Sequence, residues 1–148
     1  EISSQGVELE ANVNIDENWR VKGAFTAYDL KIEEDGNPDL IGNRPYTVPE
    51  VLASLWLDYT VRGGNLNGLS VGAGVRYIGD SFADNENTLK VPDATVLDGA
   101  VRYDRENWGL SLNVNNIFDK KYVAGCQGAY TCNYAEGRSG LLKAHFNF

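Results

Sequence analysis

Apolar and polar residues alternate with a period of two along most of the chain, and helical spacing is hard to find. Seven segments carry the alternation. The first sets Val7, Leu9, Ala11, Val13 and Ile15 against Glu8, Glu10, Asn12 and Asn14. The second sets Trp19, Val21, Gly23, Phe25 and Ala27 against Arg20, Lys22, Ala24 and Thr26. The third aligns Val51, Ala53, Leu55, Leu57 and Tyr59, although Leu52 and Trp56 share its other face with Ser54 and Asp58. Leu69, Val71, Ala73, Val75 and Tyr77 oppose Ser70, Gly72, Gly74 and Arg76 in the fourth. Leu97, Gly99, Val101 and Tyr103 oppose Asp98, Ala100 and Arg102 in the fifth. The sixth has Trp108, Leu110, Leu112 and Val114 facing away from Gly109, Ser111, Asn113 and Asn115. The last has Leu142, Ala144, Phe146 and Phe148 facing away from Lys143, His145 and Asn147. Each runs for about 9–11 residues, the length with which a tilted strand crosses a bilayer.

The connections separate a membrane barrel from a soluble sandwich. Short polar turns at Asp16–Asn18, Arg62–Gly68 and Asp104–Asn107 alternate with long polar loops at Lys31–Thr47, Gly79–Pro92 and Ile117–Gly137. Outer-membrane barrels sort their connections in this way, with short periplasmic turns and long external loops. The aromatic residues agree. On the apolar faces, Trp19, Tyr59, Tyr103, Trp108 and Phe148 fall beside the short turns or at the last residue, and Tyr77 lies towards a long loop. In a barrel they would form girdles at the two lipid–water boundaries. Weak repetition supports hairpin units: Glu17-Asn18-Trp19 recurs as Glu106-Asn107-Trp108, and Val48-Pro49-Glu50 as Val91-Pro92-Asp93. The fold class expected is therefore all-β, a transmembrane antiparallel β-barrel. Seven strands cannot close in lipid without leaving backbone groups unpaired, so residues 1–148 are expected to be part of a larger barrel.

Composition narrows the function classes. The net charge of −8 argues against a nucleic-acid partner. No apolar run approaches the roughly 18–20 residues of a membrane helix, which leaves barrel strands untouched. Sixteen glycines and eight tyrosines suit an all-β chain with many turns. The two cysteines, Cys126 and Cys132, lie in a loop-like stretch far from the single histidine, so a short surface disulfide is a better reading than a metal site. It places that loop in an oxidising compartment.

No catalytic constellation is visible, and the chain is not expected to be an enzyme. His145 has no serine or cysteine partner in a motif, and its parity reads as a satisfied interior histidine. Gly72-Ala73-Gly74 lacks the helix and the Lys-Ser/Thr of a phosphate loop, and reads as small residues in a crowded strand face. Glu8 and Glu10 on one strand, with Arg20 and Lys22 on the next, suggest cross-strand charge pairing.

One stretch is more specific than periodicity. Asn115-Asn116-Ile117-Phe118-Asp119-Lys120-Lys121-Tyr122 resembles the C-terminal signature of TonB-dependent outer-membrane receptors, an Asn-x-Phe-Asp-x-x-Tyr run that Asn116, Phe118, Asp119 and Tyr122 fill. Within that family, Tyr122 to Cys126, Tyr130-Thr131-Cys132 and the ending Phe146-Asn147-Phe148 resemble the ferrichrome-type hydroxamate siderophore receptors. Val48-Pro49, Ser54 to Tyr59 and Gly72 to Tyr77 fit the same family. The resemblance covers nearly all of the chain, and about the last third of a barrel of roughly 22 strands.

The resemblance implies energy-coupled uptake of a ferric siderophore as transported ligand, with no cofactor. It implies a Cys126–Cys132 disulfide in the last external loop and a ligand pocket lined by aromatics from loops and plug. Gln127, Tyr130 and Tyr134 are the candidate contacts, Gln127 standing where the ferrichrome receptors carry an aromatic. The plug and the TonB box of such receptors are N-terminal and fall outside residues 1–148, so contact with the TonB complex would run through that region. Other implied partners are the rest of the barrel, membrane lipid and lipopolysaccharide. The acidic run Glu33-Glu34-Asp35 reads as a solvated loop or, secondarily, a cation bridge to lipopolysaccharide. Phe146 and Phe148 resemble the terminal signal read by the barrel-assembly machinery, with the last strand ending at the periplasmic side. The competing readings are a TonB-dependent receptor for cobalamin or a glycan, and a soluble all-β binding domain.

Overall fold

The computed structural model describes residues 1–147; the expectations placed on Phe148 lie outside them. Eleven strands follow one another: β1 (Ile2–Asn14), β2 (Trp19–Ile32), β3 (Val51–Thr60), β4 (Leu69–Ile78), β5 (Ser81–Phe82), β6 (Lys90–Val91), β7 (Ala94–Asp104), β8 (Trp108–Asn115), β9 (Val123–Gln127), β10 (Thr131–Tyr134) and β11 (Ser139–Phe146). Seven of them form one antiparallel sheet in the order β1-β2-β3-β4-β7-β8-β11. The other four make two small hairpins, β5–β6 and β9–β10, inside long connections that showed no clear period in the sequence.

Register keeps the alternation in phase across the whole sheet. Val13, Val21, Leu57, Ala73, Gly99, Val114 and Gly140 form one continuous row on the apolar face. The neighbouring row on the opposite face is Asn14, Arg20, Asp58, Gly72, Ala100, Asn113 and Leu141. A slip of one residue in any pair would turn that strand's apolar set to the other side.

The apolar face is bare. Leu9 is 62% exposed and Leu142 65%, with Val7, Val13, Leu55, Val101 and Leu110 exposed as well. Among the described residues most of the buried apolar side chains lie not under the sheet but towards its long-loop end, at Ile32, Leu40, Ala83, Val91 and Cys126. A soluble sandwich places its core between sheets. A sheet that leaves the whole apolar face open needs an apolar solvent, which is the condition of a barrel wall in lipid. The soluble reading therefore fails on burial.

Short turns set the register. Asp16 Oδ1 accepts from the backbone N–H of Asn18 at 2.8 Å and of Trp19 at 2.7 Å, closing the turn after β1. That turn overrules the expected charge pairing. It puts Glu8 opposite Thr26 and Glu10 opposite Ala24, while Arg20 meets Asn14 on one side and Asp58 on the other. Arg20 Nε donates to Asn14 Oδ1 at 2.8 Å. At the same end, Trp19 meets Tyr59 with ring centroids 4.7 Å apart and planes tilted by 53°, and Tyr103 meets Trp108 edge-on at 5.8 Å. These four residues are the described members of the aromatic set expected beside the short turns.

The Gly72-Ala73-Gly74 stretch answers to Trp56. A Cβ at Gly72 would lie 2.7 Å from Trp56 Cζ2, and one at Gly74 would lie 2.9 Å from Trp56 Cζ3. The indole of β3 lies across β4, where only glycine leaves room. His145 pairs with Gly109 across β11 and β8, and its ring lies against that glycine.

Candidate functional site

Three long connections rise from the same end of the sheet: residues 33–50 after β2, residues 79–93 after β4, and residues 116–138 after β8. Up-and-down pairing makes their order in space the same as their order in sequence. Gly79 N–H donates to Val51 O at 2.8 Å, so the second loop starts where the first one ends.

Arg44 joins the first two loops. Its Nη1 lies 2.6 Å from Glu50 Oε2, and its Nη2 lies 3.1 Å from Asp80 Oδ2. The guanidinium sits over the Phe82 ring, 4.5 Å from the centroid. Its Nε is buried and has no hydrogen-bond partner among the described residues, so the ring face is its neighbour in place of an acceptor. The Arg44 backbone is held too: its N–H donates to Asn87 Oδ1 at 2.9 Å, and its carbonyl accepts from Asn87 Nδ2 at 2.8 Å. Lys90 Nζ adds a second cation 3.3 Å from Asp80. Burial pushes the Asp80 carboxyl up, but the hydrogen bonds from Arg44 and Lys90 outweigh it and hold the group below its usual range.

The second loop is tied by its own acid. The Asp84 carboxylate accepts from the Thr88 hydroxyl and from the backbone N–H of Thr88 and Leu89, the latter two at 3.0 and 3.1 Å. The Thr88 hydrogen bond is the chief cause that holds Asp84 below the usual carboxylate range. Ala83 and Val91 then pack on Cys126 and Val123 of the third loop, and Gly128 N–H donates to Ala83 O at 2.7 Å. The three loops thus form one connected layer.

The third loop is closed at its base by the signature stretch. Asn116, only 2% exposed, adopts a left-handed backbone with φ 52°. Its Oδ1 accepts from Lys120 N–H at 2.8 Å, and its Nδ2 donates to Lys120 O at 2.9 Å. Asp119, with φ 53°, accepts from Arg138 N–H at 2.8 Å and so joins the two ends of the loop. Asn and Asp tolerate that backbone, which explains why those residue types stand there. Tyr122 is half-buried beside Arg76 and Glu136 in a hollow of about 200 Å³, and Phe118 is exposed. The anchor beneath is Asp98, which the sequence pattern did not single out. It accepts from Arg76 Nε at 2.5 Å, from Arg76 Nη2 at 3.0 Å and from Asn116 N–H at 2.8 Å.

The hairpin β9–β10 carries the expected ligand contacts. Cys126 and Cys132 face each other and are joined, with an S–S distance of 2.08 Å. Gln127 pairs with Thr131 next to the tip, Tyr130 is 99% exposed and Tyr134 is 74% exposed. The structure does not bring Gln127, Tyr130 and Tyr134 together around a cavity. A hollow of about 640 Å³ lies along the sheet and includes Glu10, Lys22, Trp56, Arg76 and Asp98 in its lining. No cluster of three or more His, Cys, Asp or Glu among the described residues could hold a metal.

Strand order, loop layer and signature turn define a class. The model of the family described as TonB dependent receptor-like, beta-barrel matches residues 1–117. The chain belongs to this TonB-dependent receptor β-barrel family, whose strands span the bacterial outer membrane. It is 40% identical over its full length to the ferrichrome outer membrane transporter/phage receptor of Escherichia coli, of which it covers 20%. It is also 40% identical, over 99% of its length, to the ferrioxamine receptor of Yersinia enterocolitica, covering 21% of that protein. Among solved structures, the siderophore receptor PiuA of Acinetobacter baumannii superposes on 98% of the chain with a TM-score of 0.85 and 31% identity, the match covering 22% of PiuA. The chain thus spans about a fifth of the length of the relatives it matches.

Proposed function

We propose that this chain supplies closing strands and external loops to an outer-membrane receptor that imports a ferric siderophore, of hydroxamate or ferrichrome-like type, in a TonB-dependent manner. The observation that carries this reading is the 40% identity, over essentially the whole chain, to two receptors named for ferrichrome and ferrioxamine.

In this reading the three long loops face the medium, and the short turns and the end of β11 face the periplasm. The sorted connection lengths and the Trp19–Tyr59 and Tyr103–Trp108 girdle support that orientation. The apolar rows meet lipid and the polar face meets the barrel interior, where the N-terminal plug would sit. Gln127, Tyr130 and Tyr134 present polar and aromatic groups to a siderophore whose own oxygens already satisfy the iron. The Cys126–Cys132 bridge and the apolar contacts beneath it fix the hairpin that carries them. TonB would act on the plug and leave this wall in place, and Phe146 and Phe148 would serve barrel assembly.

The test is deletion of the gene for the receptor that contains this chain, followed by uptake of radiolabelled iron from ferrichrome and from ferrioxamine B. Loss of uptake from either is expected. Unchanged uptake from both overturns the siderophore assignment, and a loss of cobalamin or glycan uptake instead would reassign the cargo.

A further inference from the structure

The loop layer is held by contacts of two kinds, and their arrangement has a direction. Between the first and second loops the contacts are polar, and Arg44 makes the largest share of them. Its guanidinium bridges Glu50 and Asp80 and covers Phe82, and its backbone N–H and carbonyl both pair with Asn87. Three further bonds join the same loops: Thr47 N–H to Phe82 O at 2.7 Å, Asn43 Nδ2 to Asn85 O at 2.9 Å, and Tyr46 N–H to Asn85 Oδ1 at 3.2 Å. Between the second and third loops the contacts are apolar and small. Ala83 and Val91 meet Cys126 and Val123, with one backbone bond from Gly128 to Ala83. Phe82, which Arg44 covers, precedes Ala83, which receives Gly128. One residue step therefore separates the polar lock from the seat of the hairpin.

We infer that Arg44 is a positioning residue for the hairpin β9–β10, acting through Phe82 and Ala83 of the second loop. Among the described residues no hydrogen bond or ion pair joins Arg44 to Cys126, Gln127 or Tyr130; its partners lie in the first loop and in and beside β5, on which the hairpin rests. The arrangement suits arginine in particular. Only a planar fork can reach two carboxylates on different loops while lying flat on an aromatic ring. Replacing it leaves Glu50 and Asp80 without their shared cation, and leaves β5 held to the first loop by the Thr47 bond to Phe82 without the guanidinium that covers its ring. Gly128 and Cys126 then lose a fixed partner, although no atom of the third loop has been changed.

The coupling itself is independent of cargo; only its effect on affinity rests on the siderophore reading. The test uses the full receptor in membrane or detergent and compares wild type with Arg44→Gln and Arg44→Lys. Lysine keeps the charge and loses the fork, so it guards against a variant that fails to assemble. Amide hydrogen exchange is read in residues 123–134, in the loops at 33–50 and 79–93, and in the strand residues 108–115 as a control. Exchange in 123–134 is expected to rise at least about fivefold in Arg44→Gln and by less in Arg44→Lys, with 108–115 unchanged. An increase confined to 33–50 and 79–93 overturns the inference. Binding of ferrichrome and ferrioxamine B, measured on the same variants, separates the two claims. Faster hairpin exchange with weaker binding supports both. Faster exchange with unaltered binding keeps the positioning role and removes the hairpin from the ligand site.

Discussion

Removing the carboxylate of Asp98 should open the base of the third loop. Asp98 holds three donors, two from Arg76 and one from the backbone of Asn116. In Asp98→Ala the two sides fare differently. The Arg76 side chain is 44% exposed and can rehydrate, so its loss falls well short of the 3–5 kcal/mol of a fully buried broken pair. Asn116 cannot rehydrate, and an orphaned buried N–H costs about 1–3 kcal/mol. Together the cost is about 2–3 kcal/mol, or roughly a 30–150-fold rise in opening of the turn. Asp98→Asn keeps an oxygen for the Asn116 N–H and gives up only the charge, so about 1 kcal/mol is expected. The measurement is amide exchange at 116–122 and 136–138 in the intact receptor, with β1 and β2 as internal controls. If the two variants behave alike, satisfaction of Asn116 is not what holds the turn. A change under about threefold in Asp98→Ala would refute the anchor altogether.

Other outcomes follow from the same geometry. Gly74→Val should cost about 1–3 kcal/mol through collision with the Trp56 ring and lower the temperature at which the receptor loses its folded gel mobility. Pairing it with Trp56→Leu should restore part of that loss, and equal loss in single and double variants would refute the collision. Reduction of Cys126–Cys132, which closes a loop with a sequence separation of 6, should favour opening of the hairpin by about 2 kcal/mol, roughly 30-fold in exchange, with the barrel strands unaffected. Asp80 is held below its ordinary value of 3.8 by Arg44 and Lys90 against the opposing effect of burial, with Glu50 the other acid facing the same cation. A depressed carboxyl contributes stability above that ordinary value and loses it as pH falls through the lowered one. Protection of the Thr47 amide should therefore hold from pH 7 down to about pH 4.5, and loosening near pH 6 would contradict the assignment. Deleting Phe148 from the full receptor should lower its level in the outer membrane, as judged by surface labelling, whereas unchanged levels would remove its part in assembly.

The strands were legible because each repeats one physical rule many times. Leu9, Phe25, Ala53 and Tyr77 form a row whose members lie on four strands, yet every one sits at an apolar parity position in its own segment. Losing any single residue would not have hidden the pattern. The charge pairing expected between Glu8, Glu10, Arg20 and Lys22 went wrong because proximity of like patterns does not set register. The length of the Asp16 turn does, and it set Arg20 opposite Asn14 and Asp58 and Lys22 opposite Asn12 and Trp56. The disulfide was legible for a different reason: two cysteines in one short loop leave few alternatives.

The loop layer resisted because its contacts occur once each. β5 and β6 have two residues apiece, too few to show a period. Arg44 and Asp80 are 36 positions apart, and Asp98 and Asn116 are 18 apart, with no repeat to announce either pair. Yet part of this organisation did follow from the alternation of short and long connections. A tight turn between β3 and β4 forces the loop before β3 and the loop after β4 to leave the sheet side by side, and Val51 bonded to Gly79 marks that point. The same reasoning seats the third loop next to the second, through the short turn between β7 and β8. Which loops touch was thus fixed by topology alone. Which side chains carry the contact was not, because an arginine that locks two loops and an arginine that simply meets water look the same in a polar stretch. The residues most open to experiment in this receptor are accordingly the single polar hubs, Arg44 and Asp98, where one substitution tests a connection that no periodic pattern encodes.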